Sequence, residues 1–160
     1  MESRTSYDKV PAMKLKLSKQ LKWRICIVGA VLFGSLSILF PIEHTNPTLT
    51  GEIEAPEKVM AILRRACYDC HSNETTWPWY SYVAPMSWLV SDDVKAGRAH
   101  MNFSEWSSYN DRQKKHKRKE CGELVEEGEM PLWFYLPLHQ EADLSQEDIE
   151  LILAWSKSEL

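Results

Sequence analysis

Apolar and polar positions divide the chain into three stretches. From Ile25 to Ile42, "ICIVGAVLFGSLSILFPI", eighteen residues pass without a charge. That is the lower edge of the about 20 residues a membrane-spanning helix needs. A soluble helix keeps a polar face, and this run offers only Ser35 and Ser37, so a spanning helix over 25–42 is expected. Cys26 then serves as a small apolar residue within it. Residues 43–55, "EHTNPTLTGEIEA", contain Pro47 and Gly51 and show no apolar period, which reads as a linker. The folded domain is expected over 56–160.

That domain carries helical spacing. Pro56 suits a first helical position and Glu57 a first turn. Val59, Ile62, Leu63 and Ala66 follow on one face, and Arg64 and Arg65 suit the C-terminal end. Pro85 opens a second helix over about 86–100, and a third is predicted over 105–127. Ser145 and Asp148 form a capping box, with Leu144 and Ile149 placed as its staple. Ile149, Ile152 and Leu153 continue that stripe to Trp155. No stretch alternates as strands do. The expectation is all-α: four or five short helices joined by long loops. Six tryptophans, Trp77, Trp79, Trp88, Trp106, Trp133 and Trp155, fall in this domain. They are expected to pack a core or to wall a flat apolar cofactor.

Charge sharpens the division. The net charge of −4 is split between +5 on residues 1–42, with seven Lys/Arg against two Asp/Glu, and −9 on residues 43–160. Lys14, Lys16, Lys19, Lys22 and Arg24 precede the apolar run. Positive flanks stay cytoplasmic, which predicts residues 1–24 as a basic cytoplasmic N-terminus and 25–42 as an anchor to the bacterial inner membrane. The C-terminal domain then lies in the periplasm. A cleaved signal peptide is the alternative, but Phe40-Pro41-Ile42-Glu43 is a poor cleavage site. "DRQKKHKRKE", Asp111 to Glu120, is a basic run in an acidic domain. It reads as a solvated helix face, with docking to an acidic redox partner or anionic lipid as the alternative. Nothing points to nucleic acid, and no Ser-His-Asp order, paired carboxylates or phosphate-binding glycine loop is present.

The chemistry concentrates in "ACYDCHSNETTWPW", residues 66–79. Cys67-Tyr68-Asp69-Cys70-His71 is C-x-x-C-H. Two thiols on one turn reach the two vinyl groups of a haem, and the next imidazole becomes the proximal iron ligand. A thioredoxin-type dithiol would sit near a βαβ pattern, which is missing. Structural zinc needs four ligands, yet His44, His100, His116 and His139 are scattered and Cys121 stands alone. One covalent haem c is the expectation.

Three segments together resemble a known family: "CYDCHSNETTWPWYSYVAPMSWLV", "VKAGRAHMNFSEW" and "GEMPLWFYLPLHQEADLSQEDIELILAW". They are similar to the bacterial haem-binding domain family, small membrane-anchored or periplasmic proteins frequent in Bacteroidetes. The resemblance covers about residues 56–157. It implies a cytochrome c-like helical fold with one covalent haem, and it implies no reaction.

The sixth iron position decides the function. Met130 in "GEMP" is a loop methionine before Pro131, the way many monohaem cytochromes present a thioether, and Met/His ligation raises the reduction potential. His139 is the alternative distal ligand and His100 a further one, with Met86 and Met101 read as packing. Arg98, or Lys95, is a candidate for pairing with a haem propionate, as are the donors of Trp79, Tyr80 and Tyr82. Cys121 has no assigned role. The expected function is a membrane-anchored periplasmic electron carrier rather than a catalyst, its redox partner not named by the sequence. The alternative is a peroxidase-like enzyme or haem-based sensor with an open sixth site.

Overall fold

The structure, a computed structural model, describes residues 18–39 and 42–158. The chain divides into two compact units, Met1–Pro41 and Ile42–Leu160. The first contains helix α1, Lys19–Leu39. Among the described residues no helix is long and apolar enough to cross a membrane, so the expected spanning anchor over 25–42 is not supported. Helix α1 opens on Lys19, Lys22 and Arg24. Its uncharged remainder, residues 25–39, reaches about 22 Å at 1.5 Å per residue, short of the about 30 Å of a hydrocarbon core. Residues 40 and 41 and most of the basic N-terminus lie outside the described residues.

The second unit is all-helical, as expected, with no strand among the described residues. Its helices are α2 (Glu57–Ala66), α3 (Tyr68–His71), α4 (Met86–His100), α5 (Asp111–Glu126) and α6 (Gln146–Lys157), joined by loops and short 3₁₀ turns. Helix α2 buries Val59, Ile62 and Leu63, the spacing read from the sequence. Ser145 caps α6 through the reciprocal box with Asp148, and Leu144 and Ile149 pack against the core. Helix α5 begins later than expected. Trp106–Ser108 forms a 3₁₀ turn, and a second capping box, Asn110 with Gln113, sets the start at Asp111.

Phe103, Leu63 and Ile152 are fully buried at the centre, beside Tyr68, Trp106, Val125 and Trp155. Helices α5 and α6 close on each other at Gly122, where a β-carbon would collide with Ser156. Arg118, from the basic run, turns inward: its Nη2 donates to the Ser158 carbonyl at 2.8 Å, and its guanidinium lies over Trp155. Its neighbour Lys119 stays outside and pairs with Glu123 at 2.7 Å.

The expected linker is bound to the domain. Ile53 is buried and donates its N–H to the Phe103 carbonyl at 2.8 Å. Thr50 and Gly51 donate to the Ser104 carbonyl, and the Trp106 N–H donates to the Gly51 carbonyl at 2.7 Å. Upstream, His44 stacks on Tyr82 at 4.1 Å. Lack of an apolar period hid this segment, because its order comes from backbone hydrogen bonds and one buried isoleucine.

One electrostatic tie joins α2 to α6. Arg65 reaches Asp148 at 2.6 Å. Hydrogen bonds from Arg65 first, then from Ser145, hold the Asp148 carboxyl down at about 2, against an ordinary 3.8. A depressed carboxylate stabilises the fold fully above its unfolded pKa and loses that contribution as pH falls through the folded one. Asp148→Asn is therefore expected to lower stability to urea at neutral pH. Its deficit should shrink as pH falls from about 4 to about 2. A deficit that does not change over that window would contradict the assignment.

Candidate functional site

The cysteine turn grows directly out of α2. The Cys67 N–H donates to the Leu63 carbonyl at 2.9 Å, and the single-turn helix α3 follows, with the His71 N–H on the Cys67 carbonyl at 2.9 Å. Helical turns place both cysteines and the histidine on one side of the chain. They line an apolar cavity of about 520 Å³, within the range of pockets that hold cofactors. Met101 and Phe103 line it, as do Leu124 and Val125 of α5 and, from the following loop, Met130, Leu132, Phe134 and Tyr135. Cys67, Cys70, His71 and Met130 thus come together from segments some sixty residues apart.

His71 is held in one orientation. Its Nδ1 lies 3.1 Å from the Met101 carbonyl oxygen. Burial holds the imidazole below its ordinary pKa, opposed by the Met101 and Gly97 carbonyls. A neutral ring beside a carbonyl carries its proton on Nδ1, which leaves the Nε2 lone pair for a metal. The ring also packs near Phe103, 6.0 Å between centroids. The Phe103 N–H donates to the His71 carbonyl at 2.7 Å.

The thiols are not activated. Burial pushes Cys70 up to about 12 and Cys67 higher still. A redox dithiol carries a depressed thiol pKa, so these surroundings run against that alternative. Among the described residues no group of three or more His, Cys, Asp or Glu is placed to hold a metal ion. Cys121 also lines the cavity, buried and likewise raised to about 12 by burial.

Two contacts fix the cavity's walls. Helix α4 crosses the cysteine turn at Gly97, where a β-carbon would lie 2.5 Å from the Cys70 carbonyl oxygen. Asp69, inside the C-x-x-C-H motif, accepts from the Thr76 N–H at 2.9 Å and from the Tyr135 hydroxyl at 2.8 Å. The loop after Met130 is thereby tied to the motif itself. Burial and the Asp69 bond push the Tyr135 phenol up.

The other sequence candidates lie elsewhere. His139 is outside the cavity lining. Its Nε2 is 2.7 Å from the Tyr80 hydroxyl, its Nδ1 is 3.1 Å from Glu141, and its ring stacks on Tyr135 at 3.9 Å. His100 is at the lining, half-exposed, with Nε2 3.2 Å from Glu120. Arg98 does not line the cavity. It donates to the Ser72 carbonyl at 2.7 Å, the Thr45 carbonyl at 2.9 Å, Asn46 and Thr75, which clamps the upstream segment to the loop after His71. No lysine, arginine or tryptophan is among the cavity's lining residues. Trp106 and Trp155 pack the core, while Trp79 and Trp133 face solvent. Sequence reasoning missed Asp69, Phe103 and Tyr135. The apolar "PLWFY" after Met130 was the available signal for the last.

A half-buried, oriented histidine beside two thiols in an apolar slot suits a haem. The family comparison agrees: the haem-binding domain model matches residues 32–158, and the chain belongs to that family. No curated protein and no solved structure matches the chain.

Gly97 gives the site's sharpest test. Gly97→Val puts side-chain atoms against a backbone carbonyl, which cannot rotate away. Overpacking of this kind costs about 1–3 kcal/mol, more than a helix recovers by losing a glycine. The variant is expected to unfold at lower urea and to hold less haem per chain. Wild-type stability with full loading would contradict the close-approach argument.

Proposed function

We propose that the chain is a c-type, cytochrome c-like monohaem protein that carries electrons. The observation behind this reading is that Cys67, Cys70, His71 and Met130 line one apolar cavity. Haem, when bound, supplies a one-electron couple. The residues of the chain tether it, orient it and keep water away. Cys67 and Cys70 would hold it through thioether bonds, each S–H adding across one vinyl group with nothing lost. His71 offers Nε2 to the iron, its ring fixed by the Met101 carbonyl.

Met130 is the proposed distal ligand. Its support is partly by comparison with its rivals. Both ring nitrogens of His139 are engaged with Tyr80 and Glu141, and His100 is half-exposed beside Glu120. A thioether has no competing hydrogen bond to give up. Arg98 is not proposed as a propionate partner, because its donors are occupied along the Thr45–Thr75 clamp.

The reading places the domain in the bacterial periplasm. Its support is chemical: attachment of haem to a C-x-x-C-H turn is an event of exported proteins. The +5 charge on residues 1–42 against −9 on the remainder fits export with the basic end retained.

The oxidised spectrum tests the ligand set. Methionine ligation is expected to give a weak far-red sulfur–iron charge-transfer band, abolished by Met130→Ala and kept in His139→Ala. A high-spin ferric spectrum with rapid carbon monoxide binding after reduction would overturn the carrier reading in favour of an open sixth site.

A further inference from the structure

We propose that the domain docks a basic, redox-active protein on an aromatic face that opens beside the cavity; this rests on the electron-carrier reading above. The face is built by two segments. Trp79, Tyr82 and Leu89 come from the 3₁₀ turn at Trp79–Tyr82 and the start of α4, and Trp133, Phe134 and Leu138 from the loop after Met130. All six are exposed, Trp79 at 77%, Trp133 at 80% and Leu138 at 62%. Leu89, Phe134 and Leu138 line one seam together with Asp93, so the two segments meet there. That seam holds about 50 Å³, room for little more than one water. It is a junction between segments and not a ligand site.

The face is continuous with the cavity. Cys70, Asp93, Phe134 and Tyr135 border both the seam and the cavity. A ladder of rings runs between them. Tyr135, on the cavity, stacks on His139 at 3.9 Å, the His139 Nε2 lies 2.7 Å from the Tyr80 hydroxyl, and Tyr80 meets Trp79 edge-on at 5.9 Å. An encounter at Trp79 therefore brings a partner to the cavity's own wall, across packed rings.

Charge selects the partner. Residues 77–94 and 128–145 contain no lysine or arginine, yet carry Asp92, Asp93, Glu129, Glu141 and Asp143. The cations Arg65 and Arg98 approach these segments and both are engaged: Arg65 donates to the Glu141 carbonyl and pairs with Asp148 at 2.6 Å, and Arg98 donates to Thr75 at the seam and to the Ser72 and Thr45 carbonyls. Basic residues gather instead on α5, at Arg112, Lys114, Lys115 and Lys117–Lys119. An apolar centre with an acidic border repels an anionic lipid surface. It attracts a protein whose own apolar recess is ringed by lysines or arginines, through steering that salt weakens. Exposed Trp and Tyr are the side chains enriched at such interfaces. Redox encounters fall at the small, transient end of interface sizes, which suits a face of six residues.

The test uses the full haem-loaded chain and a lysine-rich soluble cytochrome c as probe. Indole N–H resonances of Trp79 and Trp133 are expected to shift on titration. Electron exchange with the probe should slow as salt rises. Asp92→Lys and Trp79→Ser should each slow it at least fivefold with the absorption spectrum unchanged, whereas Lys114→Glu should not. The proposal is overturned if the two indoles stay still while other resonances move. Salt-independent exchange, or equal loss in Lys114→Glu, overturns it as well. Sedimentation showing self-association that buries the indoles, or pelleting with phosphatidylglycerol vesicles, would assign the face to another occupant. A chain without covalent haem would silence the exchange arm and refute the carrier reading, while the indole shifts would still decide the docking proposal.

Discussion

A β-carbon on residue 97 would lie 2.5 Å from the carbonyl oxygen of Cys70. Its absence lets α4 lie directly on the cysteine turn, and Gly97 and Cys70 both line the cavity. One turn further along α4 the chain leaves the helix at Met101, whose carbonyl accepts from His71. The next residues return the Phe103 N–H to the His71 carbonyl and bury Phe103 at the core. The imidazole is thus held by the Met101 carbonyl, and the backbone of the same residue by the Phe103 N–H. An imidazole oriented by rigid backbone has little entropy left to lose, and its tautomer is set by the carbonyl it faces.

The second wall depends on the motif's own variable residues. Tyr68 is buried in the core and donates to Glu52 at 2.8 Å. Asp69 faces the other way and accepts from Tyr135. The two residues between the cysteines therefore anchor the turn to the core on one side and to the Met130 loop on the other. Glu52 belongs to the segment that looked like a linker. It also meets Arg64 of α2, so that segment closes the core over the cysteine turn.

Legibility followed the kind of force at work. Elements ordered by burial of a periodic face, α2 and α6, were readable at the level of single residues, since Val59, Ile62 and Leu63 announce their own environment. Elements ordered by backbone hydrogen bonds were not: residues 50–53 join the 103–106 loop through N–H and carbonyl groups that every sequence possesses. The start of α5 was misread because Asn110 and Gln113, a box of amides, lack the Ser/Thr-to-Glu signature. At the site, the C-x-x-C-H residues and Met130 could be singled out because their chemistry is specific, and the fold brings them to one cavity. Asp69, Tyr135 and Gly97 were not, because their roles exist only where two distant segments touch. Arg98 shows the converse: a charged residue on a suitable helix invites a ligand role, yet its donors are used by Ser72, Thr45, Asn46 and Thr75.

The proposed function rests on covalent attachment of haem at Cys67 and Cys70, with His71 as the iron ligand. The most direct measurement is acid–acetone extraction of full-length protein produced with a c-type maturation system, followed by intact mass. The account predicts a chain that stays coloured and heavier by one haem, with the added mass lost when Cys67 and Cys70 are both replaced by alanine. Extraction that leaves a colourless chain of unmodified mass would contradict it.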